Sequence, residues 1–248
     1  MIDINSMPFL ADIPRHQAQL RGKQTAIWFE GSEITYAALD IRSNKVANGL
    51  IALGVLPNDR IAYLGKNTDL YWEILFGANK CRATMAAINN RLAAPELKFI
   101  LSDSDAVALF VSKEYFEVIH SIIAECPKLK NIFILDGEHS EWLSFETWRD
   151  EESKKDPCLT HRGNDDVLQL YTSGTTGLPK GVQLTNNNFL SFFEQARELD
   201  WAAYEVGDPV LDAMPFFHIA GVNIGLLSLI QGSKAVILRE TNPYHILD

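Results

Sequence analysis

From Thr35 to Leu135 the chain switches repeatedly between two hydrophobic periods, and that alternation limits the available folds more than any other feature. The segment Thr35–Gly54, TYAALDIRSNKVANGLIALG, places Leu39, Val46, Leu50 and Leu53 at helical spacing, with Thr35 as N-cap and Gly54 as a stop. RIAYLG at Arg60–Gly65 reads as a short strand. A helix near Asp69–Lys80, a strand near Thr84–Ile88, a helix near Pro95–Leu101 and a strand at Val107–Val111 follow. A helix around Glu114–Ala124 and a strand at Ile132–Leu135 continue the series. Strands separated by helices are joined by crossovers, so the expected class is α/β with a mainly parallel sheet.

Residues Gly137–Asn164 break the rhythm, being rich in charge and poor in periodic apolar positions. Their second half, around 148–164, is expected to be a surface linker within a single partial domain spanning 1–248. DVLQLYT then reads as a strand, Asn187–Leu199 as a helix, Pro209–Ala213 as a strand, Ile219–Ile230 as a buried helix and Ala235–Leu238 as a strand. A chain of 248 residues with 47% hydrophobic and 22% charged residues can bury a sizeable core. Its net charge of −10 argues against a nonspecific grip on nucleic acid or an anionic membrane. The stretch Ile219–Ile230 is too short to span a bilayer, and MIDINSMPFLADIPRHQ lacks the pattern of a secretory signal. Cys81, Cys126 and Cys158 fit neither a disulfide framework nor a zinc spacing, which points to a reducing cytoplasm and assigns them no role. Lys66, Lys80 and Arg91 are expected to be solvated rather than part of a site.

The chemistry concentrates at residues 171–185, YTSGTTGLPKGVQLT. A loop leaving the end of a strand can turn successive backbone N–H groups toward an anion if side chains do not block the approach. Gly174, Gly177 and Gly181 supply clearance and allow positive φ, while Thr172, Ser173, Thr175 and Thr176 add hydroxyls. Hydroxyls of this kind also suit a magnesium shell, for which Thr172 is the candidate, and Lys180 provides a mobile charge. Composition alone leaves a flexible solvated connector equally open. The lysine does not directly follow the second glycine, so this is not a Walker A loop, and the spacing does not match G-x-G-x-x-G either.

The twelve residues YTSGTTGLPKGV closely resemble the phosphate-loop motif of the acyl-adenylate-forming enzymes, the superfamily of acyl-CoA synthetases, nonribosomal adenylation domains and firefly luciferase. ITYAALDIRSNKVANGL at Ile34–Leu50, NNRLAAPELKFIL at Asn89–Leu101 and MPFFHIAGV at Met214–Val222 are similar to further segments of that family, in family order. One departure is KCRATMAAIN at Lys80–Asn89, where Cys81-Arg82 replaces a usual small-glycine step and Ala87 a common proline. The resemblance implies that Thr172–Gly177 and Lys180 hold the β- and γ-phosphates of ATP, with Mg2+, while a carboxylate attacks the α-phosphorus to give acyl-AMP. Coenzyme A is the implied acceptor. His218, within PFFHIAG, is the implied catalytic-site histidine, a gate and positioner at the acyl pocket rather than a general base. Amino-acid-activating members carry an aspartate after the phenylalanine of this segment, and Phe217, His218 and Ile219 offer no carboxylate. An uncharged fatty or aryl acid is therefore expected.

Family members continue into a magnesium-binding glutamate, a ribose-binding aspartate and a small domain with a catalytic lysine, none of which matches this sequence. Asn242 as N-cap with Pro243 at the first helical position suggests that the chain stops as a helix begins. Two expectations follow: an amino-terminal part of an acyl-CoA synthetase, inactive alone and prone to self-association, or a noncatalytic nucleotide-binding or interaction module derived from one.

Overall fold

The computed structural model describes residues 3–173 and 177–241. The alternating segment forms α2 (Tyr36–Ala52), β3 (Arg60–Leu64), α3 (Leu70–Lys80), β4 (Thr84–Ala87), α4 (Ala94–Asp103), β5 (Ala108–Val111), α5 (Phe116–Ile122) and β6 (Asn131–Ile134). Thr35 caps α2 as expected, its hydroxyl accepting from Ala38 N–H at 3.2 Å, and Leu39, Val46 and Leu50 are buried. With β7 (Leu143–Ser144), β8 (Asp166–Thr172) and β9 (Lys180–Thr185), these strands build a seven-stranded sheet in the order β7-β6-β5-β3-β4-β8-β9. Every neighbouring pair is parallel except β8–β9. Successive strand residues feed opposite faces: Ile61 and Tyr63 join the core packed by α2 and α3, Ala62 and Leu64 the core under α4 and α5. Both faces are covered, so the strands read as unbroken apolar runs.

A second, four-stranded sheet, β10-β11-β1-β2, was not foreseen. It joins the hairpin β1 (Thr25–Phe29) and β2 (Ser32–Thr35) to β10 (Pro209–Asp212) and β11 (Lys234–Ile237), with β1 paired to β11 in parallel. The hairpin turns on Glu30 and Gly31 at φ +47° and +83°, the backbone of a two-residue primed turn. Helices α1 (Asp12–Arg21), α6 (Phe145–Glu151), α7 (Asn186–Ala196) and α8 (Ile219–Gln231) complete the described regular elements apart from short 3-10 turns. None of the helices in the described residues is long and apolar enough to cross a membrane.

Two expectations need correction. Residues 148–151 belong to α6, not to a linker: the Trp148 ring lies 4.4 Å from that of Phe133, and Arg149 donates to the fully buried Glu73 at 2.8 Å. The strap beyond α6 is fastened to α2, whose Asn48 donates to the carbonyls of Ser153 and Lys155 at 2.7 Å each. Lys80 is not solvated; it is fully buried, with Nζ 2.5 Å from Asp40 Oδ1 and 2.6 Å from Asn44 Oδ1. Burial pulls its pKa down against the attraction of Asp40. The anticipated helix start at Asn242–Pro243 lies outside the described residues.

Candidate active site

The glycine-rich segment is the connection of an antiparallel hairpin. Thr172 pairs with Lys180 as the last rung of β8–β9, and residues 173–179 run between them. Of the anticipated phosphate ligands, Thr172, Ser173, Gly177 and Lys180 are described, while Gly174, Thr175 and Thr176 lie outside the described residues. Gly177 stands at φ +94° in open space, so its glycine serves the backbone conformation. Gly181 differs from the sequence reading: it leaves room for neighbours within the sheet rather than for an anion, because a Cβ there would lie 2.5 Å from Gln169 Nε2.

His218 is the N-cap of α8, its Nδ1 accepting from Ala220 N–H at 3.2 Å, which leaves Nε2–H as the donor of the neutral ring. The loop before it is clamped by residues that sequence reading did not single out. Asn67 donates to Met214 O at 2.9 Å and to Leu238 O at 3.1 Å while accepting from Phe216 N–H at 3.0 Å. Tyr71 donates to Phe216 O at 3.1 Å. Asn67 has no periodic neighbourhood to betray it; its one signal is a polar residue just past the end of a strand, where open α/β sheets place their sites. Gly221 allows the first turn of α8 to reach this loop, since a Cβ would lie 2.6 Å from both Met214 O and Pro215 O.

These segments converge. Leu170, Tyr171, Thr172, Val182 and Leu184 of the hairpin share a cavity of about 220 Å³ with Phe217, His218 and Ile219. Phe217 also borders a second cavity of about 120 Å³, lined by Lys66, Asn90, Arg91, Tyr115 and Arg239 among others. Arg91 stands 5.9 Å from the Phe217 ring centre, within reach of a cation–π contact. Lys66 is balanced by Glu240 at 2.7 Å and Glu114 at 3.1 Å, and Arg239 is paired with Glu30 at 2.7 Å. Hence one space is apolar with hydroxyl and imidazole at its rim, and the other is polar with much of its charge internally paired.

A family profile described as AMP-binding enzyme matches residues 14–247. The chain belongs to the AMP-binding enzyme family. Among curated relatives of this AMP-binding chain, it is 38% identical over 226 residues to a fatty acid–[acyl-carrier-protein] ligase, ScoC, of Streptomyces coeruleorubidus, covering 90% of this chain and 42% of that protein. It is 34% identical over 240 residues to a feruloyl-CoA synthase of Amycolatopsis, covering 96% and 45%. The chain thus spans less than half the length of these relatives. The inhibitor-bound N-terminal domain of FACL13 from Mycobacterium tuberculosis superposes with a TM-score of 0.86 at 27% identity, covering 97% of this chain and 59% of that one. The expected α/β architecture with mostly parallel sheets is that of the family's N-terminal domain.

Among the described residues no group of three His, Cys, Asp or Glu side chains gathers, and Thr172, the anticipated magnesium ligand, offers a single hydroxyl.

Proposed function

We propose that the protein containing this chain activates an uncharged fatty or aryl acid with ATP and passes the acyl group to a thiol. The observation that carries this reading is the shared apolar cavity, in which Thr172 at the root of the glycine-rich hairpin and His218 at the head of α8 border one space. In the first step a carboxylate oxygen bonds to the α-phosphorus of ATP, and the bond to the β-phosphate oxygen breaks with its electron pair leaving on pyrophosphate. Thr172–Gly177 and Lys180 hold the departing phosphates, where a preplaced ammonium stabilises the charge that accumulates. His218 positions the acyl group through its Nε2–H, since Nδ1 is engaged by the helix. In the second step a thiol releases its proton to solvent, its sulfur bonds to the acyl carbon, and the bond from that carbon to the phosphate oxygen breaks with its electron pair leaving on AMP.

The apolar lining supports an acid without an ammonium group, as do relatives named for fatty and ferulic acids. Coenzyme A is the acceptor of the first reading. A carrier-protein thiol is the second, favoured by the 38% identity to a carrier-protein ligase. Free thiols at Cys81, Cys126 and Cys158 suit a cytoplasmic setting.

The test is acid-dependent ATP–pyrophosphate exchange by the full-length protein across fatty, aryl and amino acids, followed by thioester formation with coenzyme A or a carrier protein. Lys180→Ala should lose about 2–4 kcal/mol of transition-state stabilisation. Unchanged exchange in that variant, or a preference for amino acids, refutes the assignment.

A further inference from the structure

Tyr171 and Gly181 oppose each other on the β8–β9 ladder, one rung from the Thr172–Lys180 pair. A Cβ on residue 181 would lie 3.1 Å from Tyr171 Cζ, so the phenol ring lies across the bare glycine. The hydroxyl donates to Asp103 Oδ2 at 2.7 Å, on the last residue of α4, and accepts from Gln169 Nε2 at 2.9 Å. Gln169 accepts in turn from Arg60 Nε on β3 at 3.3 Å. Burial and the neighbouring Asp103 carboxylate both push the phenol pKa up, so the hydroxyl keeps its proton and remains a donor.

Strand β9 needs such a tether. Among the described residues it is the edge of its sheet and pairs only with β8, and it is exposed from Lys180 to Gln183. An edge strand held on one side frays more readily than a central one. Lys180, its first residue, must nevertheless keep a fixed place relative to Thr172 and the cavity.

We propose that Tyr171 is a positioning residue for Lys180: its ring resting on Gly181 and its hydroxyl tied to Asp103 fix the start of β9 and thereby the lysine. This rests on the reading that Lys180 meets the ATP phosphates. A purely packing role would need only the ring, and phenylalanine would serve as well. The positioning role needs the hydroxyl and an acceptor at residue 103.

The test compares Tyr171→Phe, Asp103→Ala and Asp103→Asn in the full-length protein by amide hydrogen exchange and by ATP–pyrophosphate exchange. Tyr171→Phe and Asp103→Ala should each speed hydrogen exchange of residues 178–183 by about 10-fold, the scale of one lost hydrogen bond, with α3 unchanged. The same variants should raise KM for ATP and for pyrophosphate by about 5-fold. Asp103→Asn, whose amide oxygen still accepts, should stay within about 2-fold of the parent. Unaltered hydrogen exchange in Tyr171→Phe overturns the proposal, and so does a Tyr171→Phe effect that Asp103→Ala does not share. If the parent shows no acid-dependent exchange at all, the functional reading fails, while hydrogen exchange still decides whether the tether holds β9. Should Tyr171→Phe not fold, Asp103→Ala tests the same bond from its other end.

Discussion

Arg82 shows how one residue can oppose its own backbone and still be retained. It sits at φ +64°, in the left-handed region that costs a non-glycine residue roughly 1–2 kcal/mol. This is the step where the resembled family usually carries glycine. The arginine compensates through its guanidinium, which donates to both oxygens of the buried Asp165 at 3.0 and 2.8 Å. Those bonds outweigh the burial that would raise the Asp165 carboxyl, and hold its pKa below the ordinary range. Arg82→Ala keeps the strain and leaves the buried carboxylate with Arg162 N–H but no charged partner, for an expected loss of about 2 kcal/mol in urea unfolding. Arg82→Gly loses the same pair but relieves the backbone, so it should be more stable than the alanine variant by about 1 kcal/mol. A glycine variant no more stable than the alanine one would contradict this account. The identity of residue 82 was plain in the sequence as a departure from the family pattern; its dihedral and its partner 83 positions away were not.

At the scale of elements, α8 follows β10 of the smaller sheet and meets α3, which covers the larger one, at a single glycine. Its Gly225 meets the fully buried Trp72, and a Cβ there would lie 2.1 Å from Trp72 Cζ2 and 2.6 Å from Asp212 Oδ2. Two effects oppose each other in Gly225→Ala. Helix propensity favours alanine by about 1 kcal/mol. Overpacking against a ring that touches Tyr71, Phe76 and Phe216 costs about 1–3 kcal/mol, and at 2.1 Å the upper part of that range applies. The variant should therefore be net destabilised, visible as a lower Tm. A rise in Tm would show that the Trp72 ring yields without strain. Periodicity identified α8 as a buried helix from Ile219 to Ile230, but the same pattern with alanine at 225 would have been read identically.

For the whole molecule, two aspartates with opposite environments shape stability against pH. Burial raises Asp156, but two hydrogen bonds from Arg15 and one from Cys158 N–H outweigh it and hold the carboxyl at about 2. A carboxyl lowered in the folded state stabilises fully above its unfolded value near ~4, and that contribution is lost as pH falls toward 2. Asp212 is the reverse case. Its side chain is fully buried with no hydrogen-bond partner among the described residues, and burial pushes its pKa well above the usual range. Its contribution is complete below the unfolded value and is lost as pH rises through the folded one. Asp212→Asn should accordingly raise the urea midpoint more at pH 8 than at pH 5. An equal change at the two pH values would mean that Asp212 does not titrate between them. Neither assignment could be read from the sequence, because an aspartate's pKa is set by neighbours that only packing brings near.

Local order dictated what the sequence determined alone. Helical spacing and the Thr35 cap located α2, alternating segments gave the α/β class with mostly parallel strands, and a contiguous twelve-residue motif marked the glycine-rich connection before Lys180, though not the antiparallel strand that Lys180 begins. Such features involve residues a few positions apart, whose geometry follows from backbone period and side-chain type. The tertiary structure decided everything that joins distant segments. It paired β1 with β11, folded Trp148 and Arg149 into the core, buried Lys80 against Asp40, and set Asn67 beneath Phe216. It also brought Thr172 and His218 to one cavity and laid Tyr171 across Gly181 with its hydroxyl on Asp103. These contacts form only when loop-closure entropy is offset by shared burial, and no single stretch of chain encodes that balance.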